Sequence, residues 1–371
     1  MDMRRVILFS LPFFFLLSCH PNASRSGGEC KEFRLDETEK MDSFASVATL
    51  DKTRIDDAVL FSDIAKILVL ADGRFVILDS EGTINLFDND GAPVPGLRKG
   101  RAANEYVSAL DMAWNGKDLL VLEPDRVKFF DLDGLSLDKS FTLTSERAFD
   151  AIAPCGKSGY YLFSSFAERA DENKKKKDDL LFAFNAKGQM VDSYVRREDC
   201  TFTLFNISQS KDNVYYLRPQ NTANVFYRLD PSGPKEQYRL DFGSKGIPAR
   251  YYFDGVHEDM RDYMLSDFYK LPMECHETDE YVYFRFAGER AAEYNAVFKV
   301  GTGKGIMWQN TNGADCRILA SDKDSFFFLL PAGSAESMRG CGPLADMIYA
   351  SYAAGDIDPE GQYLIRLSFS F

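Results

Sequence analysis

The stretch Val127-Lys128-Phe129-Phe130-Asp131-Leu132-Asp133-Gly134 decides how the rest of the chain is read. It is an apolar strand running straight into a turn rich in Asp and Gly, residues that tolerate the positive φ other residues resist. The same signature recurs at Ile84-Asn85-Leu86-Phe87-Asp88-Asn89-Asp90-Gly91, at Leu181–Gly188, at Val225–Gly233 and at Ala296–Gly303. With Phe87, Phe130, Phe184, Leu229 and Val300 taken as equivalent, the spacings are 43, 54, 45 and 71. The base period is therefore 43–45 residues, with a Lys-rich insertion in the 54 and a helical one in the 71. A strand-rich unit of about 40–45 residues is the size of one four-stranded propeller blade.

Working outward, each unit divides into four strands. The second predicts strands at 109–114, 118–122, 126–131 and 138–143. The fourth predicts 201–207, 213–217, 224–229 and 236–241, and the fifth 273–276, 281–286, 294–300 and 306–309. In the sixth, 316–320, 325–330 and 362–369 are strands, and there the chain stops one strand short. An unpaired edge is a liability, so a strand from the N-terminus, Lys31–Leu35, is expected to pair with Gln362–Phe369. The fold class is thus all-β, a six-bladed propeller closed by an N-terminal strand; a seventh blade would need about another 40 residues. Two helical insertions are predicted as caps. Val256, Met260, Tyr263 and Met264 share one helical face, and so do Leu344, Met347, Ile348 and Tyr352.

The N-terminus carries a different message. Arg4 and Arg5 precede the apolar run Val6–Leu17. A dozen residues is too short for a membrane-spanning helix, which needs roughly 20, and reads as a signal-peptide core. It ends in Leu16-Leu17-Ser18-Cys19, which resembles the lipobox of bacterial lipoproteins. That resemblance implies acylation of Cys19 and removal of residues 1–18. Residues 19–29 then form a flexible tether and 30–371 the propeller. Several acyl chains anchor stably, since each buried CH₂ contributes about 0.8 kcal/mol.

Composition narrows the partners. The formal charge is −13, and loss of residues 1–18, with Asp2, Arg4 and Arg5, leaves −14. A chain this acidic argues against nucleic acid and against anionic lipid bound through a basic patch. The one lysine run, Lys174–Lys177, is bracketed by acids and reads as a solvated hairpin tip. Besides Cys19 there are Cys30, Cys155, Cys200, Cys275, Cys316 and Cys341. Six cysteines allow fifteen pairings, none selectable from sequence. A domain of this size folds without disulfides, so most are expected to be small buried residues.

At this point the chain resembles the six-bladed β-propeller lipoproteins common in Gram-negative gut bacteria. Their Gly-rich Glu-Tyr turn between the first two blades is matched in part by Gly100-Arg101-Ala102-Ala103-Asn104-Glu105-Tyr106. Ala102, Ala103 and Asn104 stand where the family has more Gly and a Pro. The resemblance implies a lipid-anchored envelope protein, at the outer membrane with its domain facing the periplasm, surface display staying open. No acid follows Cys19 directly, which favours the periplasmic face.

No catalytic constellation is legible. Nucleophile-elbow, zinc-protease and P-loop motifs are absent. Asp88-Asn89-Asp90-Gly91 opens like a calcium loop but lacks the glutamate at the twelfth position. The only histidines are His20, His257 and His276, so no metal or other cofactor is expected. Two functions follow. The first is a non-catalytic binding or scaffold module for a glycan, peptide or envelope protein, with Asn104, Glu105 and Tyr106 as candidate ligand-binding residues. The second is a polysaccharide-acting hydrolase or lyase, which needs paired axial carboxylates, for which Glu105 and Asp111 are candidates.

Overall fold

The computed structural model describes residues 30–371 apart from 60, 62, 144–146, 165–178, 197–205, 219–223, 249–264 and 312–315. The predicted signal peptide, the tether and Cys19 lie outside the described residues. So do Lys174–Lys177, Cys200 and the predicted helix around Val256–Met264 with His257.

The chain begins with β1 (Lys31–Arg34), β2 (Thr38–Lys40) and β3 (Ala48–Ile55). Blade 1 follows as β4 (Ile64–Val69), β5 (Phe75–Asp79) and β6 (Ile84–Phe87). A small parallel pair, β7 (Arg98–Lys99) and β8 (Glu105–Tyr106), lies before blade 2. Blade 2 is β9 (Asp111–Trp114), β10 (Asp118–Glu123), β11 (Arg126–Asp131) and β12 (Ser136–Thr142). Blade 3 is β13 (Ala151–Cys155), β14 (Gly159–Phe163), β15 (Asp179–Phe184) and β16 (Met190–Arg196). Blade 4 is β17 (Asn206–Ser210), β18 (Val214–Arg218), β19 (Val225–Asp230) and β20 (Gly233–Asp241). Blade 5 is β21 (Lys270–Glu277), β22 (Tyr281–Ala287), β23 (Glu293–Lys299) and β24 (Gly305–Gln309). Blade 6 is β25 (Ala320–Ser321), β26 (Phe326–Leu330) and β27 (Gln362–Phe369), with β3 as its fourth strand. The first strands β4, β9, β13, β17, β21 and β25 pack beside one another and form the innermost ring.

The predicted six-bladed propeller is what the chain forms, but a different segment closes it. The strand that pairs with β27 is β3, antiparallel over its full length from Ala48↔Phe369 to Ile55↔Gln362. Lys31–Arg34 instead joins blade 4, parallel to β20, and β2 joins blade 5, parallel to β24. The reason is fit. β27 offers eight residues and β3 matches all eight, burying Ala48 and Ile55 at its ends. The four-residue β1 carries Phe33, which is buried among Tyr238, Phe284 and Phe298 between blades 4 and 5. The N-terminal segment is therefore a belt over the outer edges of blades 4, 5 and 6.

The turns explain their own sequences. Asp88 Oδ1 accepts the N–H groups of Asp90 and Ala92 at 3.0 and 2.9 Å, and Asn185 Oδ1 accepts those of Lys187 and Gln189. Gly91 sits at φ +84°, with space for a Cβ blocked 2.0 Å away by the Arg54 carbonyl. In the turn between β11 and β12 the left-handed residue is Leu135, at φ +48°, rather than the neighbouring Gly134. The sixth unit contains α1 (Pro343–Ala353), as predicted. Its Leu344 and Ile348 are buried in the blade 5–6 core, and Met347 and Tyr352 pack against it. Of the described cysteines, Cys275, Cys316 and Cys341 are buried, and Cys30 and Cys155 are half-buried.

Candidate binding face

The two ends of the propeller differ. Strands alternate in direction, so first-to-second and third-to-fourth turns leave one end, and second-to-third turns and inter-blade connections leave the other. The first end carries tight turns such as 70–74, 88–91, 115–117, 156–158 and 278–280. At the second end the chain leaves β14, β20 and β26 for its longest connections, the last of which holds α1. Loops on a rigid scaffold are where binding residues gather.

At the innermost ring, polar groups are spent on tying blades together. Lys66 on β4 donates to both carboxylate oxygens of Asp111 on β9, at 2.8 and 3.1 Å, and Asp111 Oδ2 also accepts the Ile152 N–H of β13 at 2.8 Å. Arg317 donates to the Ile64 carbonyl, joining blade 6 to blade 1. Ser208 donates to the Cys275 carbonyl, Ser210 Oγ accepts the Glu277 N–H, and Ser321 donates to the Glu277 carbonyl. His276 is fully buried, with Nδ1 2.9 Å from the Gln209 carbonyl, so that nitrogen carries the proton. Burial pushes the His276 pKa below its ordinary value, outweighing the upward pull of Glu274.

The predicted ligand residues Asn104, Glu105 and Tyr106 sit in the turn closed by β7 and β8. Asn104 is exposed. Glu105 Oε2 accepts the Ala102 N–H at 2.7 Å, and its carboxylate fills the space against Gly100. Tyr106 is wholly buried, its hydroxyl accepting the Ile84 N–H at 2.8 Å. Blade 2 clamps the turn: Lys128 donates to the Glu105 carbonyl at 2.5 Å, and Glu123 accepts the Val107 N–H. The candidate carboxylates thus have separate structural duties, Glu105 closing a turn and Asp111 joining three blades. Beside them Val107 and Leu110 stand half exposed.

The sequence reading missed the charged cluster of blade 5. Arg285 donates to Glu274 at 2.6 and 2.8 Å and to Glu293 at 2.9 Å. Burial alone would lower the Arg285 pKa, but the two carboxylates outweigh it and hold the group above its ordinary value. Lys270, at the long-connection end of β21, is buried and donates to the carbonyl and hydroxyl of Ser266 at 2.7 and 2.9 Å. Desolvation pulls its pKa down, against the attraction of Asp267. Leu271, Arg290 and Ala291 have positive φ at this same end, a strain that persists only where surrounding structure enforces it. Only the cross-strand pairing of β21, β22 and β23 reveals this cluster, since its members are eleven and eight residues apart. Among the described residues no group of three His, Cys, Asp or Glu converges as metal ligands do, and no helix is long and apolar enough to cross a membrane.

Known proteins share the fold. A Bacteroides fragilis protein described as exported superposes with a TM-score of 0.71 at 16% identity, covering 92% of this chain and 99% of its own. The extracellular domain of a one-component system from B. thetaiotaomicron gives 0.38 at 14% identity, covering 70% of this chain and 30% of its own. No curated protein matches. A family model described as "6-bladed beta-propeller" matches residues 23–315, well over half of the sequence, and the chain belongs to that six-bladed β-propeller family.

Proposed function

We propose that this protein is a lipid-anchored envelope propeller that holds a glycan, peptide or partner protein on its long-connection face without turning it over. The observation that carries this reading is the asymmetry of the two ends. Tight turns occupy one, and the longest connections leave the other. The innermost polar groups support binding over catalysis, because Asp111, Ser208, Ser210 and Ser321 each have a partner in a neighbouring blade. Catalysis needs groups with tuned pKa values within reach of a substrate. In the turn between blades 1 and 2, Asn104 is the exposed member and Glu105 and Tyr106 hold its shape. The apolar leader and Cys19 fit an exported protein, as the B. fragilis relative is described to be.

The test is to incubate the mature protein with host and dietary glycans and with envelope-derived peptides, reading both binding and new reducing ends. Binding without product is expected, weakened by Asn104→Ala. Product release abolished by a single Asp or Glu substitution would replace this reading with a polysaccharide-acting hydrolase or lyase.

A further inference from the structure

The turn between blades 1 and 2 is held more firmly than a surface loop requires. Gly100 N–H donates to the Tyr106 carbonyl at 2.8 Å and Ala109 N–H to the Gly82 carbonyl at 3.3 Å, beside the bonds of Glu105 and Tyr106 described above. Lys99 donates to the Glu81 carbonyl at 2.9 Å. The clamp from blade 2 uses two buried charges, Glu123 and Lys128, whose charged atoms lie 3.1 Å apart. Burying an ion pair is costly, and here it serves to fix a loop. A turn fixed in this way presents its exposed side chains in one arrangement, which reduces the ordering cost of binding.

Those exposed side chains are cationic and unpaired. Arg98 and Arg101 are exposed, and among the described residues neither has a hydrogen bond, an ion pair or a ring contact. Every other arginine whose side chain is described has at least one. The stretch 96–110 carries Arg98, Lys99 and Arg101 against Glu105 alone, a local charge of +2 in a chain whose formal charge is −13. The Glu105 carboxylate is already taken by the Ala102 amide, and Glu81 stands exposed on the adjoining turn. Charges beyond about 8 Å are screened at physiological salt, so the acidity of the rest of the chain does not cancel the two guanidiniums. In the same turn Asn104 is exposed, and Val107 and Leu110 are exposed to 50% and 45%.

We propose that this turn is the recognition element of the long-connection face and that it takes an acidic peptide segment. Arg98 and Arg101 grip its Asp or Glu side chains, and an apolar side chain of the segment covers Val107 and Leu110. The inference rests on the binding face proposed above and names its ligand class. Charge complementarity argues for the occupant. A guanidinium is planar and matches a carboxylate with two parallel N–H···O bonds. Arginine beside apolar groups is also the composition that marks protein interfaces. A glycan fits less well, because sugar rings pack their faces on aromatic rings. Tyr106 of this turn is wholly buried, and the large hydrophobic side chains exposed among the described residues are all aliphatic.

The experiment selects random peptides of about 12 residues, displayed on phage, on the mature protein. The enriched peptides are then measured against wild type, Arg98→Gln, Arg101→Gln and Arg101→Glu. Both side chains are exposed and unpaired, so the variants are expected to keep the wild-type unfolding midpoint. Enriched peptides are expected to carry two or more acids around an apolar residue and to slow hydrogen exchange of the amides at 98–110. They are expected to lose affinity about tenfold or more in either Gln variant and to bind more weakly as salt rises from about 0.05 to about 0.5 M. Arg101→Glu is expected to prefer the same peptide with Lys in place of an acid, a reversal that a merely structural role of Arg101 would not produce. Equal affinity for the variants, or peptides without acids, overturns the inference; if exchange then slows at other connections of the same end, the binding-face reading survives it. Exchange slowed at no connection of that end, by peptide or by glycan, removes both. Acidic glycans held by these arginines in the absence of peptide binding replace the peptide with a polysaccharide. A concentration-dependent dimer that Arg98→Gln dissociates assigns the turn to a second copy instead.

Discussion

Asp111 illustrates what a single side chain does at the axis. It lies on β9, yet its oxygens serve Lys66 on β4 and the Ile152 amide on β13. Lys66 and Asp111 are both buried. Removing one partner strands the other charge, and breaking a buried pair costs about 3–5 kcal/mol, whereas apolar replacement of both is often neutral. Asp111→Ala is therefore expected to lose about that much stability in urea denaturation, and Lys66→Met with Asp111→Leu to recover part of it, the Ile152 amide staying unpaired. His276 makes a pH prediction. Its folded pKa lies below the ordinary value of 6.5 because burial disfavours the imidazolium. Below pH 6.5 the unfolded chain binds a proton that the folded chain refuses, so stability falls as pH falls. The loss approaches about 1.4 kcal/mol per pH unit until the folded pKa is reached. Stability curves of wild type and His276→Asn between pH 7.5 and 5.5 are expected to diverge in slope, the wild type being the steeper; equal slopes would mean that His276 titrates normally.

Among elements, the belt shows how three short strands of one segment take three different roles. β3 completes blade 6, β1 and β2 add to blades that already have four strands, and Phe33 plugs the seam between blades 4 and 5. Phe33→Ala leaves a cavity among Tyr238, Phe284 and Phe298 and is expected to cost about 3–5 kcal/mol. A chain beginning at Asp42 keeps β3 and is expected to fold with a lowered melting temperature. One beginning at Asp57 leaves all eight residues of β27 unpaired on that side and is expected to be insoluble, since an open edge invites association. Equal solubility of the two would refute this division of roles.

The whole molecule is a ring, so loss of one blade exposes faces on two neighbours. Chains of this length often unfold through intermediates, but a closed ring opposes independent loss of blades. The two tryptophans report from separate parts, Trp114 from blade 2 and Trp308 from blade 5. Trp114→Phe and Trp308→Phe leave one reporter each, and their urea midpoints are expected to coincide once each is compared with its own circular dichroism transition. A clear separation would show that the blades come apart piecemeal. At this scale the anchor is tested too. Cys19→Ala is expected to abolish acylation and release the protein to the soluble fraction; retention on salt-washed membranes would defeat the lipid reading.

The repeat of apolar strand and Asp-Gly turn determined the six blades, because strand alternation and turn chemistry are local and survive without neighbours. It also placed most strands to within about two residues, as in 126–131, which became β11, but the expected first strands 201–207 and 316–320 are β17 at Asn206–Ser210 and β25 at Ala320–Ser321. It pointed to the helical insertion at 343–353 through one apolar face. Which N-terminal strand closes the ring was not local. Lys31–Leu35 and Ala48–Ile55 both look like strands, and only the eight-residue register against β27 and the pocket for Phe33 distinguish them. The same holds for site residues. Tyr106 looks like a loop aromatic in the sequence, and its burial depends on the Ile84 amide more than twenty residues away. Glu274, Arg285 and Glu293 carry no motif and meet only because three strands of blade 5 pair. Local backbone preference is written along the chain, whereas burial and charge pairing are properties of surfaces that come into being when blades pack.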